Sequence, residues 1–193
     1  MENVTEFVYL GSLMTYDGSC SKDIRLRITK GKAVVNAMGT IWKSKNITDE
    51  LKLKVLRTCV FSVAMHACET WTLKKIDRNR LRAFEMYCYR RMLRISWTAK
   101  ERNENIRRKL RIKENVIQTI AKRKSRLFGH IQRMDSSRKL KVVVQSLMEG
   151  TNVRGRPLRT WLDDISDWGG EDVNTLARKA QDRLLWETTI KKP

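Results

Sequence analysis

Apolar side chains recur at three- and four-residue intervals along most of this 193-residue sequence, and that period limits the fold to packed helices. Ser21 is placed to cap a helix carrying Ile24, Ile28, Val35, Met38 and Trp42. Thr48-Asp49-Glu50 reads as a second helix start, with Leu51, Val55, Cys59 and Val63 on one face. Asp77 opens a third, with Leu81, Phe84, Cys88, Met92 and Ile95 at spacings of three and four. Three such helices suit an antiparallel bundle. The period differs only at the start. Phe7-Val8-Tyr9-Leu10 is aromatic and β-branched, Gly11 follows, and Leu13 to Tyr16 leads to the turn pair Asp17-Gly18. This predicts a short β-hairpin. The expected class is therefore mainly α: a helical bundle with a short N-terminal β-hairpin and a basic helical C-terminal region.

Charge sets the second constraint. Lys and Arg number 41 against 21 Asp and Glu, a formal net charge of +20. Self-repulsion on that scale disfavours the compact state, so a polyanionic partner is expected to offset it. RNA, an RNA–DNA duplex or DNA comes first, ahead of an acidic membrane surface. No apolar run approaches the ~20 residues that span a bilayer, so no membrane is expected as partner. Four cysteines follow no secretory signal, and the N-terminal MENVTEFVYLGS has neither a basic nor an apolar leader segment. Reduced thiols and an intracellular location, nuclear or cytoplasmic, are expected.

The excess is concentrated. From Arg102 to Lys141 there are 14 Lys and Arg and 3 Asp and Glu, a net of +11 in 40 residues. Val116, Ile120, Leu127, Phe128 and Ile131 keep a helical period through this block, which argues for folded basic helices. Arg107, Arg108, Lys109, Arg111, Lys113, Lys122, Arg123, Lys124, Arg126 and Arg133 are candidates for a phosphate-binding face. Lys122-Arg123-Lys124 also suits a nuclear-import signal. Gly150 to Pro157 then breaks the pattern and reads as a linker. Within it, Arg154-Gly155-Arg156-Pro157 has the core of an AT-hook, in which Arg154 and Arg156 would enter a narrow minor groove. Beyond it, Pro157 suits the first turn of a helix with Trp161, Leu162, Ile165 and Trp168, closed by Gly169-Gly170. Asp172 or Asn174 caps a last helix with Leu176, Ala180, Leu184 and Trp186.

The chemistry of catalysis is sparse. His66 and Cys68 lie two apart, about 200° around a helix, and no second Cys/His pair has zinc spacing. Asp163-Asp164 is the one adjacent Asp pair. Helical neighbours diverge by about 100°, so these two carboxylates do not jointly grip a metal cluster. They read instead as the polar face of a helix near its N-terminus, where acids are favoured.

Taken in order, several blocks resemble the C-terminal part of the reverse transcriptases of non-LTR (LINE-type, jockey-like) retrotransposons. They are Phe7-Val8-Tyr9-Leu10-Gly11-Ser12, Asp23 to Ile28, Cys68 to Leu73, Arg82 to Trp97, Phe128 to Met134, Arg154 to Pro157 with Trp161 to Ile165, and Ala180 to Arg183 with Trp186. His66-Ala67 departs from the Tyr-Gly usual at that place. The resemblance implies a primer-grip hairpin over residues 1–20, with Tyr9 and Gly11 against the primer, and a thumb-like bundle over 21–98. It implies a basic helical region over 99–149 and a C-terminal helical pair over 150–193. It also implies that fingers, catalytic palm and endonuclease lie upstream of Met1, with the Mg²⁺ that belongs to the palm. On that reading the chain holds template–primer, needs no cofactor and has no catalytic residue of its own. A host-adopted DNA-binding protein using the Arg154–Pro157 segment is the alternative.

Overall fold

The computed structural model describes residues 4–145 and 158–191. The architecture is mainly helical, with one two-stranded antiparallel hairpin at the N-terminal end. β1 (Glu6–Tyr9) pairs with β2 (Ser12–Thr15), Phe7 opposite Met14 and Val8 opposite Leu13. Leu10 and Gly11 form the loop with φ of 46° and 82°. Positive φ at both central residues matches the twist of the strands, and it is easy for Gly11 and strained for Leu10.

The helices follow as α1 (Ser21–Ala37), α2 (Gly39–Lys43) and α3 (Asp49–Val55). A π-helical stretch (Leu56–Phe61) then runs into α4 (Ser62–Ala64). After a 3₁₀ turn at Cys68–Thr70 come α5 (Lys75–Leu93), α6 (Asn103–Lys109) and α7 (Val116–Gln132). Then come α8 (Lys139–Gln145), α9 (Trp161–Gly169), α10 (Val173–Gln181) and α11 (Arg183–Lys191).

Two compact units share these elements. The first comprises residues 1–68 and 73–119, the second 69–72 and 120–193. The division falls within α7, not at residue 99. One reason is Glu85, which binds the segments after α5 into the first unit. Its buried carboxylate accepts hydrogen bonds from the Val116 amide (3.0 Å), Arg107 Nη2 (3.2 Å) and the Tyr89 hydroxyl (3.1 Å). The expected linker at 150–157 lies outside the described residues.

In the first unit α1 packs on α5. Gly31 permits the approach: a Cβ there would stand 2.7 Å from Phe84 Cζ. Leu81, Phe84, Cys88 and Met92 of α5 are buried, as their spacing predicts. The Asp77 carboxylate, fully buried at the start of α5, accepts from Ser21 Oγ (2.6 Å) and Arg80 Nη1 (2.8 Å). Ser21 thus spends its hydroxyl on α5 and does not cap α1. The predicted first helix is interrupted at Met38, and Trp42 belongs to α2, its indole donating to Val35 O at 2.7 Å.

Two further readings change. Thr48 caps α3 as expected, accepting from the Leu51 amide. Yet the buried face of that helix is Leu53, Leu56, Val60 and Ala64, while Leu51 and Cys59 are exposed. Beyond Leu51 the predicted set runs one residue out of phase, about 100° around the helix. The last predicted helix is two. Asp182 breaks it, its carboxylate accepting from the Leu184 and Leu185 amides, and Leu184 points to solvent. All four cysteines are free thiols, Cys68 and Cys88 buried and Cys59 exposed. Burial, with the nearby Glu85 charge, pushes the Cys88 thiol far above its ordinary range.

The core of the second unit is Phe128, Ile165, Leu176, Ala180 and Trp186. Its helix ends are well tied. Thr160 and Asp163 form a reciprocal capping box on α9, Gly170 closes that helix at φ 68°, and Asp172 caps α10. Lys141 Nζ donates to the Gln132 and Met134 carbonyls just beyond the end of α7. Among the described residues no helix is long and apolar enough to cross a membrane.

Candidate nucleic-acid interface

α7 has two faces set by helical geometry. Ile120, Lys124, Phe128 and Ile131, spaced four, four and three, are all buried. Two residues after each of these, about 200° around, come Lys122, Arg126, His130 and Arg133. This second row lines one wall of a cleft of about 680 Å³. The opposite wall is Arg183, Trp186, Glu187 and Ile190 of α11.

Gly129 brings the walls together. A Cβ on it would lie 2.3 Å from the Trp186 indole nitrogen, so only glycine lets that ring lie against α7. The indole donates to Ser125 O at 2.9 Å and its ring stands 5.5 Å from that of Phe128. Mid-helix glycine costs up to ~1 kcal/mol relative to alanine, and the packing of a tryptophan offsets it.

The cleft is strongly positive. Among the described residues four of its lining side chains are Lys or Arg, against the single carboxylate of Glu187, which pairs at 3.5 Å with Arg183 in an exposed contact. Arg133 Nη1 donates to Ala180 O at 2.7 Å; a carbonyl orients the guanidinium without cancelling its charge. Basic side chains repeated every three or four residues along one helix face suit a row of phosphates.

Of the residues predicted from sequence, Lys122, Arg126 and Arg133 therefore share one site. Arg123 is exposed on α7 outside the cleft lining. Arg108 and Lys109 are exposed in the last turn of α6, in the first unit. Arg107, on the same turn, is half-buried against Glu85. It is the counter-ion of a buried carboxylate, which corrects its reading as a phosphate contact.

Lys124 is the clearest correction. Its side chain is fully buried, Nζ donating to Asp164 Oδ2 at 2.6 Å and Trp71 O at 2.7 Å, beneath the Trp161 ring at 5.0 Å. No phosphate reaches it. The same contact revises the Asp163-Asp164 pair. Asp163 is the capping acid at the helix start, whereas Asp164 is buried between Lys124 and Arg159, whose Nη2 lies at 2.7 Å. Burial works against the Arg159 charge, but its hydrogen bonds to Asp167 and Asp164 outweigh that and raise its pKa.

At the hairpin, Tyr9 is exposed beside the loop, and Gly11 O accepts from Arg27 Nη2 at 2.6 Å. Arg27 also meets His66 Nδ1 at 2.8 Å, and Asp23 Oδ1 accepts from the Leu13 amide at 3.0 Å. α1 thereby grips the strand after the loop and leaves the Tyr9 ring outward. Arg154 and Arg156 lie outside the described residues.

Sequence reasoning missed His130, Arg183 and the place of Trp186 in the cleft wall. The signal for His130 was available, since it continues the Lys122–Arg126 row by four. Among the described residues no group of three or more His, Cys, Asp or Glu has a metal-binding arrangement. No protein-family model, curated protein or solved structure matches this chain.

Proposed function

We propose that this chain binds nucleic acid through phosphate contacts, with the Lys122–Arg126–His130–Arg133 row of α7 as its principal contact. The observation that carries the reading is that row itself: four basic side chains on one face of one helix, lining a cleft with a single carboxylate among the described residues. We further read the molecule as the template–primer-holding part of a polymerase like those of the LINE-type retrotransposons it resembles. In that family the palm supplies catalysis and Mg²⁺, and this chain supplies affinity. The exposed Tyr9 beside an anchored loop supports a primer-grip role for the hairpin.

The test is a salt titration. Binding of a labelled RNA–DNA duplex is measured by fluorescence polarisation across a range of KCl. If Lys122, Arg126, Arg133 and Arg183 each meet a phosphate, log K falls against log salt with a slope of about −3 to −4. Replacing Lys122 and Arg126 by Gln flattens that slope by about 2 units. A salt-independent affinity overturns the reading.

A further inference from the structure

A second basic cleft lies in the first unit, where the C-terminal end of α5 faces α2. It has a volume of about 520 Å³, and its lining includes Lys43, Arg90, Arg91 and Arg94, with Tyr87 in the wall and, among the described residues, no carboxylate. The charge of this group is left uncompensated by its hydrogen bonds. Arg90 donates from Nη1 to Asn103 Oδ1 at 2.9 Å and from Nη2 to Glu101 O at 2.8 Å, both uncharged acceptors. Lys32 adds positive charge nearby, its Nζ 5.4 Å from the centre of the Tyr87 ring, whose hydroxyl is fixed by donating to Asn36 Oδ1.

Helix electrostatics explains part of this. Cations in the last turn of a helix are favoured by the macrodipole, which covers Arg90 and Arg91. It covers neither Lys43, which is on α2, nor Arg94. Arg94 sits past the end of α5 at φ 59°. The Ile95 amide donates to Arg90 O and the Arg94 amide to Arg91 O, the paired bonds of a helix stop that normally takes glycine. An arginine there carries backbone strain that glycine would relieve, and it places a fourth cation in the cleft.

We propose that this cleft is a phosphomonoester site, taking the doubly charged phosphate that ends a nucleic-acid strand or belongs to a free nucleotide. Four unneutralised cations in one concavity suit a group with nearly two negative charges better than a backbone phosphodiester with one. Tyr87 offers an aromatic edge beside it. The proposal stands on first-unit residues alone and does not depend on the α7 row.

The experiment compares a short 3′-labelled single strand with and without a 5′-phosphate, by polarisation on the full chain. The phosphorylated strand binds about tenfold more tightly. The double variant Lys43→Gln/Arg91→Gln loses that preference, while Lys122→Gln/Arg126→Gln, with the same loss of charge, weakens both strands and keeps it. Arg94→Gly, which relieves the strained stop and so folds at least as well, also loses the preference. Competition by inorganic phosphate or a nucleoside monophosphate identifies a free phosphate as sufficient; competition by the 5′-phosphorylated strand alone identifies the strand end. Equal binding of the two strands by the unmodified chain overturns the proposal, as does equal loss of preference in both double variants. Failure of the α7 row would appear instead as a flat salt response with the preference intact.

Discussion

Lys124 sits where helical spacing asks for an apolar residue, four after Ile120 and four before Phe128. Its charge is tolerated there because Asp164 and the Trp71 carbonyl meet it at 2.6 and 2.7 Å. Two ions taken from water lose several kcal/mol of hydration each, and close pairing roughly returns it. The pair is therefore a weak net stabiliser whose members depend heavily on each other. Lys124→Met is expected to cost about 3–5 kcal/mol in urea denaturation, because the buried Asp164 then loses the ammonium that meets it at 2.6 Å. Replacing Asp164 by Leu as well recovers much of that loss. A single variant as stable as the unmodified chain would show that water reaches this pair. The inward placement of Lys124 was legible in the spacing, but the Lys122-Arg123-Lys124 run reads as a uniform basic patch unless each residue is assigned its angle. Its partner was not legible: 40 residues separate Lys124 from Asp164, and no local pattern connects them.

Among elements, α7 joins core and surface most closely. Its apolar row holds Phe128 and Ile131 inside while the row two residues on lines the cleft, so a change on one face is felt on the other. Gly129 is the sharpest case. Gly129→Ala raises helix propensity, yet its methyl needs space that the Trp186 indole occupies. Overpacking of this kind costs about 1–3 kcal/mol. We expect a lowered Tm and a shifted tryptophan emission; a more stable variant with unchanged emission would refute the close packing. The helical periods of α1, α5 and α7 were readable because each alternates apolar and charged rows cleanly. α3 was not, because Leu51, Leu53, Val55 and Leu56 offer two apolar faces to choose from. The π-helical turn that follows carries the buried line Leu56, Val60, Ala64. The break at Asp182 was missed for a related reason: Leu184 continues the Leu176–Ala180 period but lies beyond a carboxylate that starts a new helix.

For the molecule as a whole, the formal charge of +20 overstates what a ligand meets. Lys124, Arg107 and Arg159 are committed to buried carboxylates, while Lys122, Arg126, Arg133 and Arg183 line one cleft and Lys43, Arg90, Arg91 and Arg94 another. Mainly helical architecture with an N-terminal hairpin was fully foreseeable from period and turn residues. The division into two units was not, because Glu85 and the residues it gathers are 22 and 31 positions away. If the chain holds template–primer for a palm it does not contain, the isolated protein given template–primer, deoxynucleotides and Mg²⁺ should retain the duplex and extend nothing. Incorporation above background in a primer-extension assay would reject that division of labour. The Trp186 ring is wedged on Gly129 from inside and forms part of the cleft wall outside. Its excited state therefore spans the packed interior and the surface a ligand would touch. The molecule thus has an optical gauge at its α7 groove, sensitive to arriving phosphate and loosening core alike.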